Sequence, residues 1–122
     1  MTIQELYAEI GGNYEQVIRI MRKDAMVDRY IHKLAGSPAW SALEQAVGSM
    51  DEKGIFEQAH ALKGVAANLG LTDIAEQAGE LCEAYRPGKA PAFSEEETRA
   101  RFAALSERYR KTLDAIARYD RG

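Results

Sequence analysis

Between Ile55 and Gly70 the apolar residues recur at the spacing of a single helix face: Ile55, Ala59, Leu62, Ala66 and Leu69. At about 100° per residue these five form one stripe, which has to be buried against other elements. His60, Gly64 and Ala67 fall on the opposite face, with Lys63 beside them. That face is unusual. A solvated helix face normally carries charged or long polar side chains, and glycine inside a helix costs about 1 kcal/mol relative to alanine. Space around His60 is kept open at the expense of the helix.

The same period runs through the rest of the chain. Thr2 to Ile10 reads as a short helix stopped by Gly11-Gly12. Asn13 is an N-cap for a helix to about Leu34, with Val17, Ile20, Met21, Val27, Tyr30, Ile31 and Leu34 inward and Gly36 ending it. Ser37-Pro38 opens a helix to about Gly48 that turns Trp40, Leu43 and Val47 to the core. Asp51 caps the segment from Glu52 to Leu69, which Gly70 closes. Thr72 caps a helix to Tyr85 or Arg86, Pro87 to Pro91 form a loop, and Ser94-Glu95-Glu96-Glu97 is a capping box for a last helix to about Tyr119. Its inward positions are Phe102, Leu105, Tyr109, Leu113 and Ile116. No strand-like alternation and no internal repeat competes with this pattern. Long helices with short connections predict an all-α fold, an antiparallel up-down four-helix bundle with an additional short N-terminal helix.

One domain of 122 residues, 46% hydrophobic and 29% charged, is ordinary globular chemistry. A net charge of -3 argues against nucleic acid or an anionic membrane as partner. The single cysteine forms no internal disulfide, no run approaches the roughly 20 apolar residues of a membrane span, and the N-terminus lacks a signal-peptide core. The expectation is a soluble, cytoplasmic, free-standing domain over residues 1–122, and a monomer.

A neutral imidazole is a good nucleophile near neutral pH. Gly64, one turn beyond His60, removes the side chain that would block an incoming donor. Lys63, at i+3, can bring a mobile point charge to anionic oxygens, although a solvated helix lysine looks the same in sequence. A small anion such as phosphoryl suits this set. His32 lies near a helix C-terminus, where positive charge is favoured, and reads as a surface residue.

The string His60-Ala61-Leu62-Lys63-Gly64, followed by Asn68-Leu69-Gly70, resembles the signature of histidine-containing phosphotransfer (HPt) domains of two-component phosphorelays. Ile10-Gly11-Gly12-Asn13 before a long amphipathic segment is similar to how such domains open, so the resemblance extends over nearly the whole chain. It implies a bundle that holds His60 in solvent as a histidine phosphocarrier, served by response-regulator receiver domains or a sensor histidine kinase. It also implies that Nε2 of His60 attacks phosphorus, that Lys63 eases the charge on the transferring oxygens, and that Gly64, Ala67 and Asn68 give access. The domain would need no cofactor of its own, since the receiver supplies Mg²⁺. With neither a P-loop string nor a kinase glycine loop, the chain is expected to be a carrier without an ATP site.

Arg86 resembles a basic residue that in some members meets the partner or the phosphoryl group, and it also reads as an arginine favoured by a helix C-terminus. Cys82 departs from the pattern. Several members carry glutamine or glutamate there, hydrogen-bonded to the imidazole, whereas a thiol is a weak donor and acceptor. Cys82 falls on the stripe Leu71, Ile74, Ala75, Ala78, Leu81, Cys82, Tyr85 and is expected in the core, leaving the ring to Glu80, to Glu83 or to none. Ile10, Tyr14 and Ala67 are expected on the docking face. Three other readings stay open: a non-transferring relative that binds and inhibits a receiver or kinase, a phosphoacceptor served in trans by a separate kinase, and a purely structural bundle. The Glu57-Gln58-Ala59-His60 string is also of the kind found in di-iron bundles. Those need a second such motif, and His32 has Arg29 where the glutamate belongs.

Overall fold

Polar side chains at the breaks in periodicity start most of the helices. In the computed structural model, which describes residues 1–122, Thr2 accepts from Glu5 N–H to open α1 (Ile3–Ile10), and the Glu5 carboxylate accepts from Thr2 N–H in return. Asn13 accepts from Gln16 N–H at 3.0 Å and opens α2 (Tyr14–Met21). A third short helix, α3 (Asp24–Ile31), runs into a 3-10 turn, His32–Leu34. Pro38 stands in the first turn of α4 (Pro38–Ser49), and Asp51 accepts from Gly54 N–H to open α5 (Glu52–Asn68). The chain ends with α6 (Thr72–Ala84) and α7 (Glu95–Arg121), the latter capped by Ser94. Thr72 is not a cap. The left-handed turn at Gly70 returns the chain to helical geometry early, so Leu71 takes the cap position and Thr72 is the first helical residue.

Helices α4 to α7 form the bundle, each packed on the next and α4 closing against α7, while α1 lies along α7. One core joins all the helices: Leu6, Tyr7, Val17, Ile31, Leu43, Ile55, Leu62, Ile74, Leu81 and Leu105 are fully buried. Trp40 stacks on Tyr109 (centroids 4.0 Å apart) and on Phe102 (5.2 Å) and ties α4 to α7. The Tyr109 hydroxyl donates to the Leu34 carbonyl, and burial pushes its pKa up to about 12.

The single helix expected from Asn13 to Leu34 is two helices. Arg22 is left-handed (φ 72°) and its N–H closes α2 on the Ile18 carbonyl at 2.7 Å. Tyr14 then donates its hydroxyl to Asp24, at the start of α3. Val17 and Val27 are buried on either side of the break, so the apolar spacing passes through it unmarked. The reset register turns out residues expected inward: Ile20 is 57% exposed, and Met21 and Tyr30 are half-buried.

Two turns lock these helices to the bundle. Asn13 N–H donates to the Gly70 carbonyl at 2.7 Å, and the buried Tyr7 hydroxyl donates to the Leu69 carbonyl at 2.7 Å. A Cβ on Gly70 would stand 2.6 Å from the Asn13 carbonyl oxygen, and one on Gly12 would stand 2.7 Å from the Tyr7 ring.

His32 is more than a surface residue. Its Nδ1 lies 2.6 Å from the Asp28 carbonyl and its Nε2 lies 2.7 Å from Asp120 Oδ1 on α7. Both partners are acceptors, so only the imidazolium satisfies both, and these bonds raise its pKa, the Asp28 carbonyl most. Tyr119 donates to Asp28 at 2.6 Å beside it. A raised folded-state pKa gives stability that is complete below the ordinary histidine value of about 6.5 and fades as pH climbs through the raised value. The melting temperature should therefore fall on going from about pH 6 to about pH 8. His32→Gln should flatten that slope in calorimetric scans.

Candidate functional site

Helix α5 places its two faces as the spacing requires. Ile55, Ala59, Leu62 and Ala66 are fully buried, while His60, Lys63, Gly64, Ala67 and Asn68 are exposed. A Cβ built on Gly64 meets nothing within 4 Å. A mid-helix glycine allows either close packing or access, and nothing packs on this one.

The His60 ring is framed on two sides. Cys82 Sγ lies 3.9 Å from Nδ1, and Phe56, one turn back on α5, is nearly parallel to the imidazole, 6.1 Å between centroids and 18° between planes. The expectation that Cys82 belongs to the core instead of the imidazole is half corrected. It is 2% exposed, yet it also reaches the ring, because α5 and α6 pack side by side and its short side chain lies at their seam. The carboxylates expected to orient the ring are engaged elsewhere: Glu80 pairs with Arg101, and Glu83 accepts from Arg86 at 2.9 Å and from Lys89 at 3.3 Å.

Two cations flank this frame. Arg86 stands just past the end of α6, not in its last turn, and its guanidinium lies 5.7 Å from the Phe56 ring centroid. Lys63 lies across α6 at Gly79, where a Cβ would stand 3.5 Å from Lys63 Cδ. Burial pushes the Cys82 thiol pKa up, and the positive charges of Arg86 and Lys63 pull against that rise. Phe56 and Gly79 were not singled out in sequence. The signal for Phe56 was an aromatic residue at i−4 from His60; Gly79 gave none, because its partner is on another helix.

The remaining positions fall into three places. Ala67 lines a cleft between α5 and α6 with Lys63 and Gly79. Asn68 lies on the rim of an apolar groove formed by Ile20, Met21, Met26, Tyr30 and Val65. Ile10 and Tyr14, expected on the docking face, differ in exposure: Ile10 is buried and Tyr14 half-buried. Ile10 is 8% exposed and faces α7 beside Arg108 and Thr112, and Tyr14 is held by Asp24 and edge-on to Tyr7 at 6.1 Å. The helix break turns Ile20 and Met21 outward, where one straight helix would have buried them. Glu57 and His60 both face solvent, and nowhere do three His, Cys, Asp or Glu side chains converge.

A family model described as the Hpt domain matches residues 38–119, from the first turn of α4 to near the end of α7. The chain belongs to the Hpt domain family. Hpt domains are carriers of histidine phosphotransfer in two-component signalling, acting with receiver domains and kinases. They are not a family of catalysts. The match leaves residues 1–37 outside and is narrower than the sequence resemblance, which took in Ile10-Gly11-Gly12-Asn13. No curated protein and no solved structure matches the chain. In this Hpt domain the matched segment carries His60, Lys63, Gly64, Cys82 and Arg86, whereas the apolar groove is completed by α2 and α3. No helix is long and apolar enough to cross a membrane.

Proposed function

We propose that this Hpt domain is a phosphorelay carrier whose phosphoacceptor is His60, charged from the aspartyl phosphate of a receiver domain or from a histidine kinase and discharged to another receiver. The observation that carries the reading is the exposed mid-helix imidazole beside a glycine with empty space over it. Nδ1 faces Cys82, which leaves Nε2 as the outward nitrogen. Its lone pair forms the N–P bond as the P–O bond to the receiver aspartate breaks and the carboxylate leaves with that electron pair. Lys63 and Arg86 oppose the negative charge on the transferring oxygens.

The cationic and apolar neighbours of His60 make a poor nest for a divalent ion. Mg²⁺ therefore belongs to the receiver, where it would neutralise the phosphoryl oxygens before transfer. The apolar groove of Ile20, Met21, Met26, Tyr30 and Val65, which Asn68 also lines, gives the partner a surface to bury towards the C-terminal end of the helix that carries His60.

Incubation with phosphorylated, Mg²⁺-loaded receivers tests the reading. Acid-labile, base-stable phosphate should appear on this chain. Binding without label would instead mark an inhibitor of its receiver. Gly64→Gln separates access from stability. The helix should gain up to about 1 kcal/mol, raising the melting temperature. Transfer should fall by about tenfold or more, because the new side chain occupies the path of the receiver.

A further inference from the structure

Residues 19–33 carry five Lys and Arg against two Asp, in a chain whose net charge is -3. Asp24 accepts from Tyr14 and Asp28 from Tyr119, yet Arg19, Arg22, Lys23, Arg29 and Lys33 enter no ion pair. Lys33 stands on the apolar groove, its ammonium 4.7 Å from the Tyr30 ring centroid, and no residue lining that groove is acidic. Four positions on, Ser37 lines the groove as well. It is 8% exposed, and its N–H donates to the Leu34 carbonyl at 3.2 Å, but its hydroxyl has no partner. A serine at a helix N-cap normally accepts from an N–H of the first turn. Ser37 does not, so the positive end of α4 is left without its side-chain cap beside Pro38, which also lines the groove.

An unused hydroxyl, an uncapped helix N-terminus and an unpaired ammonium together suit an anion. The groove they adjoin has a volume of about 620 Å³ and an apolar wall of Ile20, Met21, Met26 and Val65. We propose that it is a ligand site for a small soluble amphiphile with a carboxylate head. The head accepts from Lys33 Nζ and from the Ser37 hydroxyl at the start of α4. The hydrocarbon tail lies on Met21, Met26 and Val65 and covers Ile20, which is otherwise 57% exposed. Binding involves no covalent step and does not depend on His60 as phosphoacceptor. Its consequence for the relay does rest on that reading, because ligand and receiver would compete for one surface.

Decanoate below its micellar concentration, at neutral pH, is the probe. In methyl-labelled full-length protein it should shift the Ile20, Met21 and Met26 signals saturably and raise the melting temperature. Decanol, which lacks the charge, and acetate, which lacks the tail, should each bind about fivefold or more weakly. Lys33→Gln should weaken decanoate about fivefold and Ser37→Ala about threefold. The melting temperature of free Ser37→Ala should stay at the wild-type value, because the hydroxyl it removes bonds nothing in the protein. Ile20→Asp, at an exposed position, should abolish binding on a folded protein. Equal affinity for decanol and decanoate, or wild-type affinity in both Lys33→Gln and Ser37→Ala, would overturn the proposal. Sedimentation with phosphatidylglycerol vesicles but no shift with decanoate would overturn it too and assign the surface to a membrane. Saturating decanoate that leaves transfer from a charged receiver undisturbed would instead strike the groove from the receiver's footprint and leave the ligand site standing.

Discussion

His60→Gln is expected to abolish the acid-labile phosphate taken up from a charged receiver, with no other histidine taking over. The glutamine amide retains polarity and approximate reach but has no nitrogen lone pair able to form a stable N–P bond. The only other histidine, His32, has both ring nitrogens committed to the Asp28 carbonyl and Asp120 on the far part of the chain. His60 is exposed and its one polar contact is the long one to Cys82, so unfolding free energy should stay within about 0.5 kcal/mol of wild type. A denaturant titration beside the transfer assay checks both halves. Label that survives on the folded variant would move the phosphoacceptor elsewhere.

Gly70→Ala should be the most damaging small substitution for stability. At φ +69° an L side chain costs about 1–2 kcal/mol, and the added Cβ would press on the Asn13 carbonyl oxygen from 2.6 Å. That neighbour is backbone and cannot swing away. Relief means separating the α5–α6 turn from the α1–α2 junction, which loosens the 2.7 Å bond from Asn13 N–H and shifts the Leu69 carbonyl that accepts from buried Tyr7. A lost hydrogen bond adds about 1 kcal/mol, for a total near 3 kcal/mol, read as a lower urea midpoint. Gly64→Ala, six positions earlier in the same motif, should shift the midpoint the other way, because nothing lies within 4 Å of its Cβ and its helix gains about 1 kcal/mol. Two glycines of one string thus have opposite tasks. Gly70 holds the fold, and Gly64 leaves open space beside His60.

The sequence by itself determined most of the helices, because each buries one stripe and most open on a polar cap: the inward faces of α4 to α7 and the caps at Asn13, Asp51 and Ser94 stand as the spacing requires. It determined that His60, Lys63 and Gly64 share an exposed face, since positions three and four apart on one helix are neighbours whatever else the chain does. Only the tertiary structure decided what meets across helices. The break at Arg22 has no glycine or proline to announce it and keeps the apolar period, yet it turns Ile20 and Met21 out to form the groove and leaves Ile10 and Tyr14 to the packing around α1. Cys82 and Phe56 on the His60 ring, Lys63 over Gly79 and the His32–Asp120 clasp likewise join residues whose separation in sequence or side-chain direction no single-helix period encodes. Helical spacing sets which face a residue occupies. The packing of one helix on another sets what that face touches.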